Sequence, residues 1–198
     1  LQIRTLPARV ERVEKPAGDV AILYLKLPAS ERLQFLAGQY IDILLKDGRK
    51  RSYSLANAPH DDAFLQLHIR HVPGGLFTGQ VFSILKMRDI LRFNGPHGGF
   101  YLREDSPKPM ILLAGGTGFA PIKAIVEHTI AEQCRRPMHI YWGAYIGTPD
   151  EVLIAGPLNE VADTIRTRRT ELREQHGWIM DSYLLRRCER DASATATN

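Results

Sequence analysis

Cysteine is scarce in this sequence, with Cys134 and Cys188 the only two among 198 residues. A four-cysteine zinc site, an iron-sulfur cluster and a disulfide framework all need more sulfur than that, so these residues contain none of them. Any redox chemistry must therefore come from a bound organic cofactor. Long hydrophobic runs are missing too. Met110 to Ala114 runs straight into glycine, far short of the roughly 20 residues of a membrane span, and Leu1-Gln2-Ile3-Arg4 does not open a signal peptide. The expectation is a soluble, cytoplasmic chain with no membrane partner. Charge of one sign is also lacking: 26 Lys and Arg against 22 Asp and Glu leave +4, too mild a field to point to nucleic acid. Much of the excess sits at Arg166, Arg168, Arg169, Arg173, Arg186 and Arg187, where a solvated helix face and a dock for an acidic partner both remain open. No Gly-x-Ser-x-Gly elbow or His-Glu-x-x-His helix occurs, which removes the common hydrolases. His60, His97 and His128 are scattered and read as surface or packing residues.

What is present falls into two halves. Up to about Gly99 the pattern is short and strand-like: Ala8 to Val13, Val20 to Leu27, Tyr40 to Leu45, Arg51 to Ala56, Phe64 to Arg70 and Asp89 to Phe93. Turn signals such as Lys46-Asp47-Gly48 and Asn94-Gly95-Pro96-His97-Gly98-Gly99 separate or end these strands. Six such strands predict a small antiparallel barrel, interrupted by one helix between Phe77 and Leu85. Beyond Pro109 the character changes. Met110 to Ala114 reads as a buried parallel strand, followed by a helix from about Pro121 to Gln133. Further strands follow at Met138 to Gly143 and Val152 to Ala155, then a basic helix at Glu160 to Gln175. This alternation predicts an α/β half built on a parallel sheet.

Two motifs carry chemistry. Gly115-Gly116-Thr117-Gly118-Phe119-Ala120-Pro121 follows the apolar strand, and its glycines let backbone approach a phosphate. Pro121 at the first helical position would need no N–H partner. A bare strand-to-helix turn remains the alternative, and the full dinucleotide fingerprint is absent because Ala120-Pro121 takes the third glycine's place. In Arg51-Ser52-Tyr53-Ser54 an arginine can grip phosphate, a tyrosine can stack on a planar ring and a serine can hydrogen-bond that ring, although taken alone such a tetrapeptide is more often a plain strand edge.

Order along the chain gives these pieces meaning. Arg51-Ser52-Tyr53-Ser54, His68-Ile69-Arg70, Gly74-Gly75-Leu76-Phe77-Thr78, Gly95-Pro96, Gly115 to Pro121, Tyr141-Trp142-Gly143 and Ala155-Gly156-Pro157 together resemble the ferredoxin-NADP reductase family. Within it the pattern is similar to the reductase portions of CDP-6-deoxy-Δ3,4-glucoseen reductase and oxygenase reductases, and to NAD(P)H-flavin reductases. The resemblance implies two domains: a six-stranded antiparallel flavin-binding barrel over 1–103, and a shortened parallel-sheet nicotinamide-dinucleotide domain over 104–188. A flexible tail over 189–198 would follow.

As the resemblance implies, Arg51 binds the flavin phosphate, Tyr53 stacks on the isoalloxazine, Ser52 belongs to the same cofactor-binding strand, and Ser54 acts at the flavin N5 edge. His68, Ile69 and Arg70 line the flavin, and Gly75, Leu76, Phe77 and Thr78 offer backbone N–H groups to its phosphates. Gly116, Thr117 and Gly118 face the nicotinamide dinucleotide, with Thr117 beside Ser54 as a catalytic candidate and Gly156 and Pro157 completing the set. The cofactor implied is FAD rather than FMN, no metal is implied, and NADH or NADPH is the donor. The electrons pass to a [2Fe-2S] ferredoxin domain or protein, or to an oxygenase or dehydratase component. Ala144, Tyr145, Ile146 and Gly147 after the Tyr141-Trp142-Gly143 strand hold no cation, which favours NADH. Only Ala144 to Glu151 separate that strand from the next, and Ala155 stands where relatives carry cysteine, so a flavin-binding regulatory module without nucleotide turnover is the competing reading. Tyr183 fits either packing or an approach to the flavin.

Overall fold

The computed structural model describes residues 1–143, which fall into two compact units. The first joins Leu1–Asp105 to Thr117–Cys134, and the second joins Ser106–Gly116 to the described residues from Arg135 on.

The first unit is built on alternation. Along β1 (Arg4–Ala17), β2 (Val20–Lys26), β3 (Tyr40–Leu44) and β5 (Leu65–Arg70), every second side chain turns inward. Leu6, Ala8 and Val10, then Ala21, Leu23 and Leu25, then Ile41 and Ile43, then Leu65, Leu67 and Ile69 are all buried. With Phe77 and Phe93 they form one core. Together with β4 (Lys50–Ser54) and β6 (Ile90–His97) the strands pair antiparallel in the order β4-β3-β6-β1-β2-β5. Register shifts between Val10 and Arg12 and between Glu14 and Ala17 are the bulges that let one 14-residue strand serve both β6 and β2. A bridge between Leu55 and Leu67 then joins the first and last strands of this order, closing the sheet into the expected barrel. The helix α1 (Leu76–Ser83) lies where the sequence placed one.

Two local expectations are corrected. Asn94-Gly95-Pro96-His97 is strand, not turn, because Asn94 and Gly95 pair with Thr5 and Arg4 of β1, while His97 pairs with Tyr40 of β3. Gly95 permits this contact, since a Cβ there would lie 2.8 Å from Ile41 Cγ2; the Gly95-Pro96 bond is cis. The second helix, α2 (Phe119–Ala131), starts two residues early, so Pro121 is its third residue and not its first. None of the first four N–H groups of a helix has an intrahelical acceptor, so proline fits there as well.

In the second unit β7 (Met110–Gly115) and β8 (Met138–Gly143) pair parallel, from Met110↔Met138 to Gly115↔Gly143. β7 buries only one face: Met110, Leu112 and Ala114 are covered, while Ile111 and Leu113 are 75% and 78% exposed. Five apolar residues in a row do not tell whether one face or both are covered, because that depends on what packs over the second face. The strand expected at Val152 to Ala155, the helix at Glu160 to Gln175 and the tail lie outside the described residues. Among the described residues no helix is long and apolar enough to cross a membrane.

Candidate functional site

The barrel closes just beyond the end of β4. β4 pairs with β3 along its whole length, and β5 pairs with β2. The free edges of β4 and β5 meet at the Leu55–Leu67 bridge and at the Ala56 N–H, which donates to Gln66 O at 2.8 Å. Among the described residues no ladder joins Lys50–Ser54 to His68–Arg70. Beyond the bridge the facing edges of these two segments therefore carry backbone donors and acceptors outside the sheet's ladders, groups that need partners when covered.

Arg51 and Tyr53 occupy one face of β4, opposite Ile43 and Ile41 of β3. The Tyr53 ring lies 5.5 Å from that of Phe77, tilted by 50°, and Phe77 is only 1% exposed. Burial pushes the Tyr53 phenol above its ordinary pKa, opposed by the positive charge of Arg51. Arg51 Nη1 donates to its neighbour's carbonyl, Lys50 O, at 2.7 Å, and among the described residues its guanidinium has no carboxylate partner. An arginine held beside an aromatic ring and left without an acid is equipped for an anion.

The remaining motif residues divide. Strand alternation sets Ser52 and Ser54 on the opposite face of β4 from Tyr53. Ser52 Oγ donates to Asp42 Oδ1 at 2.6 Å, which commits it to the sheet, while Ser54 sits opposite Tyr40, half-buried and with no side-chain hydrogen bond among the described residues. The Ile69 side chain is fully buried in the core, so only its backbone can meet a ligand at that edge. Arg70 at the end of β5 donates from Nε to Asp19 Oδ2 at 3.0 Å.

His68 holds a buried Nε2 with no hydrogen-bond partner among the described residues, a polar group that calls for one. Burial, helped by the positive charge of Lys123, lowers its pKa from 6.5 to about 4. Unfolded, the imidazole binds a proton near pH 6.5; folded, it refuses one until about pH 4. The stability that depends on neutral His68 is thus intact above pH 6.5 and lost as the pH falls toward 4. His68→Gln should flatten that loss, and urea unfolding of parent and variant across the same interval measures it.

β5 leads into a second anion-ready feature. Gly75 caps α1 with no side-chain hydrogen bond, and the first intrahelical bond runs from Gly79 N–H to Gly75 O at 2.7 Å. The N–H groups of Leu76, Phe77 and Thr78 thus head the helix without intrahelical acceptors, the arrangement that attracts phosphate. Gly75 itself differs from expectation, because its N–H already donates to Val72 O at 2.8 Å. The Thr78 hydroxyl accepts from Val72 N–H at 3.2 Å and lies 3.2 Å from Val72 O, clasping the loop. A Cβ on Gly75 would stand 2.4 Å from that hydroxyl oxygen, which explains the glycine.

The glycine turn after β7 is a 3-10 turn over Gly116–Gly118. Gly116 has φ +50, and its carbonyl accepts from Trp142 Nε1 at 2.9 Å. Thr117 is half-buried, and Gly118 caps α2 without a side-chain hydrogen bond. A Cβ at Gly115 or Gly118 would meet no described atom within 4 Å, so packing does not demand these glycines and the backbone stays approachable. Gly156 and Pro157 lie outside the described residues.

Sequence reasoning missed Lys123. Its Nζ lies 3.1 Å from Ala56 O, 3.1 Å from Gln66 Oε1 and 2.6 Å from Glu127 Oε1. The one available signal was a lysine flanked by apolar Ile122, Ala124 and Ile125, with Glu127 four residues on. His128, read as a packing residue, bonds Glu104 Oε1 through Nε2 at 2.9 Å.

Comparison with known proteins agrees with this fold. Residues 7–101 match the oxidoreductase FAD-binding domain, and residues 112–187 match the oxidoreductase NAD-binding domain. The CDP-6-deoxy-L-threo-D-glycero-4-hexulose-3-dehydrase reductase of Yersinia pseudotuberculosis is 46% identical over 147 residues, 74% of this chain and 44% of that protein. Reductase component 1 of the terephthalate 1,2-dioxygenase of a Comamonas species is 45% identical over 128 residues, 65% of this chain and 38% of its own length. A cytochrome P450 reductase from Amycolatopsis superposes with a TM-score of 0.68 at 34% identity, over 90% of this chain and 51% of that one. The chain thus spans less than half the length of the two curated relatives.

Proposed function

Since the chain belongs to the FAD- and NAD-binding oxidoreductases of the ferredoxin reductase type, we propose that it is the flavin and pyridine-nucleotide part of an electron-transferring reductase. The observation that carries this reading is the split between β4 and β5. β4 carries a ring able to stack (Tyr53) and an arginine with no acid among the described residues (Arg51), and β5 carries a buried imidazole nitrogen with no partner among them (His68). These residues fit a flavin: a planar heteroaromatic ring for Tyr53 and an anionic tail for Arg51 and the head of α1. When bound, that group accepts a hydride and returns electrons one at a time.

The protein's part is positional. Arg51 and the N–H groups of Leu76, Phe77 and Thr78 hold the phosphates, and Tyr53, backed by Phe77, fixes the ring plane. His68, the Ile69 backbone and Arg70 form the facing edge. Ser54 offers its unengaged hydroxyl to the reacting edge. Thr117 and Gly118 at the head of α2, with Gly116 before them, receive the dinucleotide; Gly156 and Pro157 belong to the same assignment. Ser52 contributes by holding β4 to Asp42. The domain division at 103/104 is part of this reading. So are FAD as the flavin, a [2Fe-2S] ferredoxin domain or an oxygenase or dehydratase component as acceptor, and the cytoplasm as location, where a free thiol such as Cys134 stays reduced.

The purified protein should be yellow and should bleach anaerobically with NADH faster than with NADPH. Ser54→Ala should slow that bleaching by about tenfold or more while flavin affinity changes little. Faster bleaching by NADPH overturns the donor assignment, an unchanged rate in Ser54→Ala overturns the serine's role, and a yellow protein that neither nucleotide bleaches favours the regulatory module.

A further inference from the structure

We infer that Lys123 is a positioning residue, clamping the first turns of α2 to the closing point of the barrel and thereby setting how well the head of that helix holds a pyridine nucleotide; this rests on the function proposed above.

Lys123 stands in sequence among the buried Ile122, Ala124 and Ile125 of α2, and its own side chain is 27% exposed. An ammonium has three donors, and here each has an acceptor: Ala56 O, Gln66 Oε1 and Glu127 Oε1. Ala56 and Gln66 are the two residues whose backbones bond each other where the barrel closes, so one charge ties both sides of that closure to one helix. Gln66 is itself fixed. Its N–H donates to Asn57 Oδ1 at 2.9 Å, its Nε2 lies 3.4 Å from Tyr24 Oη, and it is only 9% exposed. The lysine therefore grips an anchored acceptor and not a mobile one.

Phe119, the first residue of α2, is one turn before Lys123, with Thr117 and Gly118 directly ahead of it. A helix is stiff over one turn, so a grip at Lys123 holds that head in place. Replacing the ammonium with a thioether of similar length keeps the apolar stem but leaves Ala56 O and Gln66 Oε1 without their donor. The helix head should then wander, weakening nucleotide binding, while the barrel keeps its ligand, because the Ala56 N–H to Gln66 O bond and the Leu55–Leu67 bridge that close it do not involve the lysine.

The test compares parent, Lys123→Met and Lys123→Arg as flavin-loaded proteins. In Lys123→Met the KM for NADH should rise by about tenfold, with flavin affinity within about twofold of the parent, and Lys123→Arg should recover part of the loss. Hydrogen exchange of the α2 amides 123 to 125, which bond the carbonyls of Phe119, Ala120 and Pro121, should accelerate by about tenfold while β6 amides hold steady. The His68 pKa should climb in Lys123→Met, because the neighbouring charge is gone. Unchanged exchange at those amides overturns the clamp, and so does a flavin affinity that falls in step with the KM change. A parent protein that neither nucleotide reduces overturns the proposed function instead, and the exchange measurement still decides the clamp.

Discussion

Arg51→Ala is expected to weaken flavin binding about tenfold to a hundredfold, the loss of one charge-assisted hydrogen bond worth roughly 1.5 to 3 kcal/mol. The size follows from the state of the guanidinium. Its one side-chain bond is to the adjacent Lys50 carbonyl, and no carboxylate among the described residues competes for it. No ion pair has to be broken before it meets a phosphate. For the same reason the substitution should leave the stability of the flavin-free barrel nearly unchanged, since no folded-state ion pair is lost. Arg51→Lys keeps the charge but not the fork of donors, and should fall between the two. Fluorescence titration of flavin into the three apoproteins reads the effect, and equal affinity in Arg51→Ala would show that the phosphate is held elsewhere.

The largest loss of stability should come from Phe77→Ala, about 3 to 5 kcal/mol, the usual cost of emptying a fully buried aromatic site. Phe77 is 1% exposed, belongs to the core shared by the strands, and is the ring against which Tyr53 rests. One substitution thus opens a cavity and removes the support of the ring proposed to stack on the flavin. Phe77→Leu should cost much less in stability yet still loosen Tyr53, so flavin affinity should drop in both variants while the unfolding midpoint drops strongly in one. Denaturant unfolding of the apoproteins gives the first quantity and flavin titration the second. A Phe77→Ala protein as stable as the parent would remove Phe77 from the core.

Strand positions were legible because alternation is local. Ala21, Leu23 and Leu25 announce their shared face through spacing alone, and the strands expected at Val20, Tyr40 and Met138 begin where the structure starts them. The segment at Asn94-Gly95-Pro96 was not legible. Its composition favours a turn, and it is held extended by Arg4, Thr5 and Tyr40, residues more than 50 positions away in sequence. The start of α2 shifted for a milder reason: proline marks the first turn of a helix without marking which residue of that turn it occupies.

Sequence by itself determined the class of this protein. Two cysteines ruled out a four-cysteine cluster within these 198 residues, alternation required a sheet, and the order of Arg51 to Ser54, Gly74 to Thr78 and Gly115 to Pro121 carried the family resemblance that implied the cofactors. All of these are written in neighbouring residues or in linear order, where each residue's chemistry can be read without knowing its contacts. Only the tertiary structure decided how the site residues divide. It showed that Ser52 is bound to Asp42, that Ile69 faces inward, that Gly75 has already donated its N–H, that His68 Nε2 has no hydrogen-bond partner among the described residues, and that Lys123 Nζ reaches both Ala56 O and Gln66 Oε1. Those facts depend on which groups meet across long stretches of chain, and on what burial does to a charge once they meet, so no local pattern could carry them.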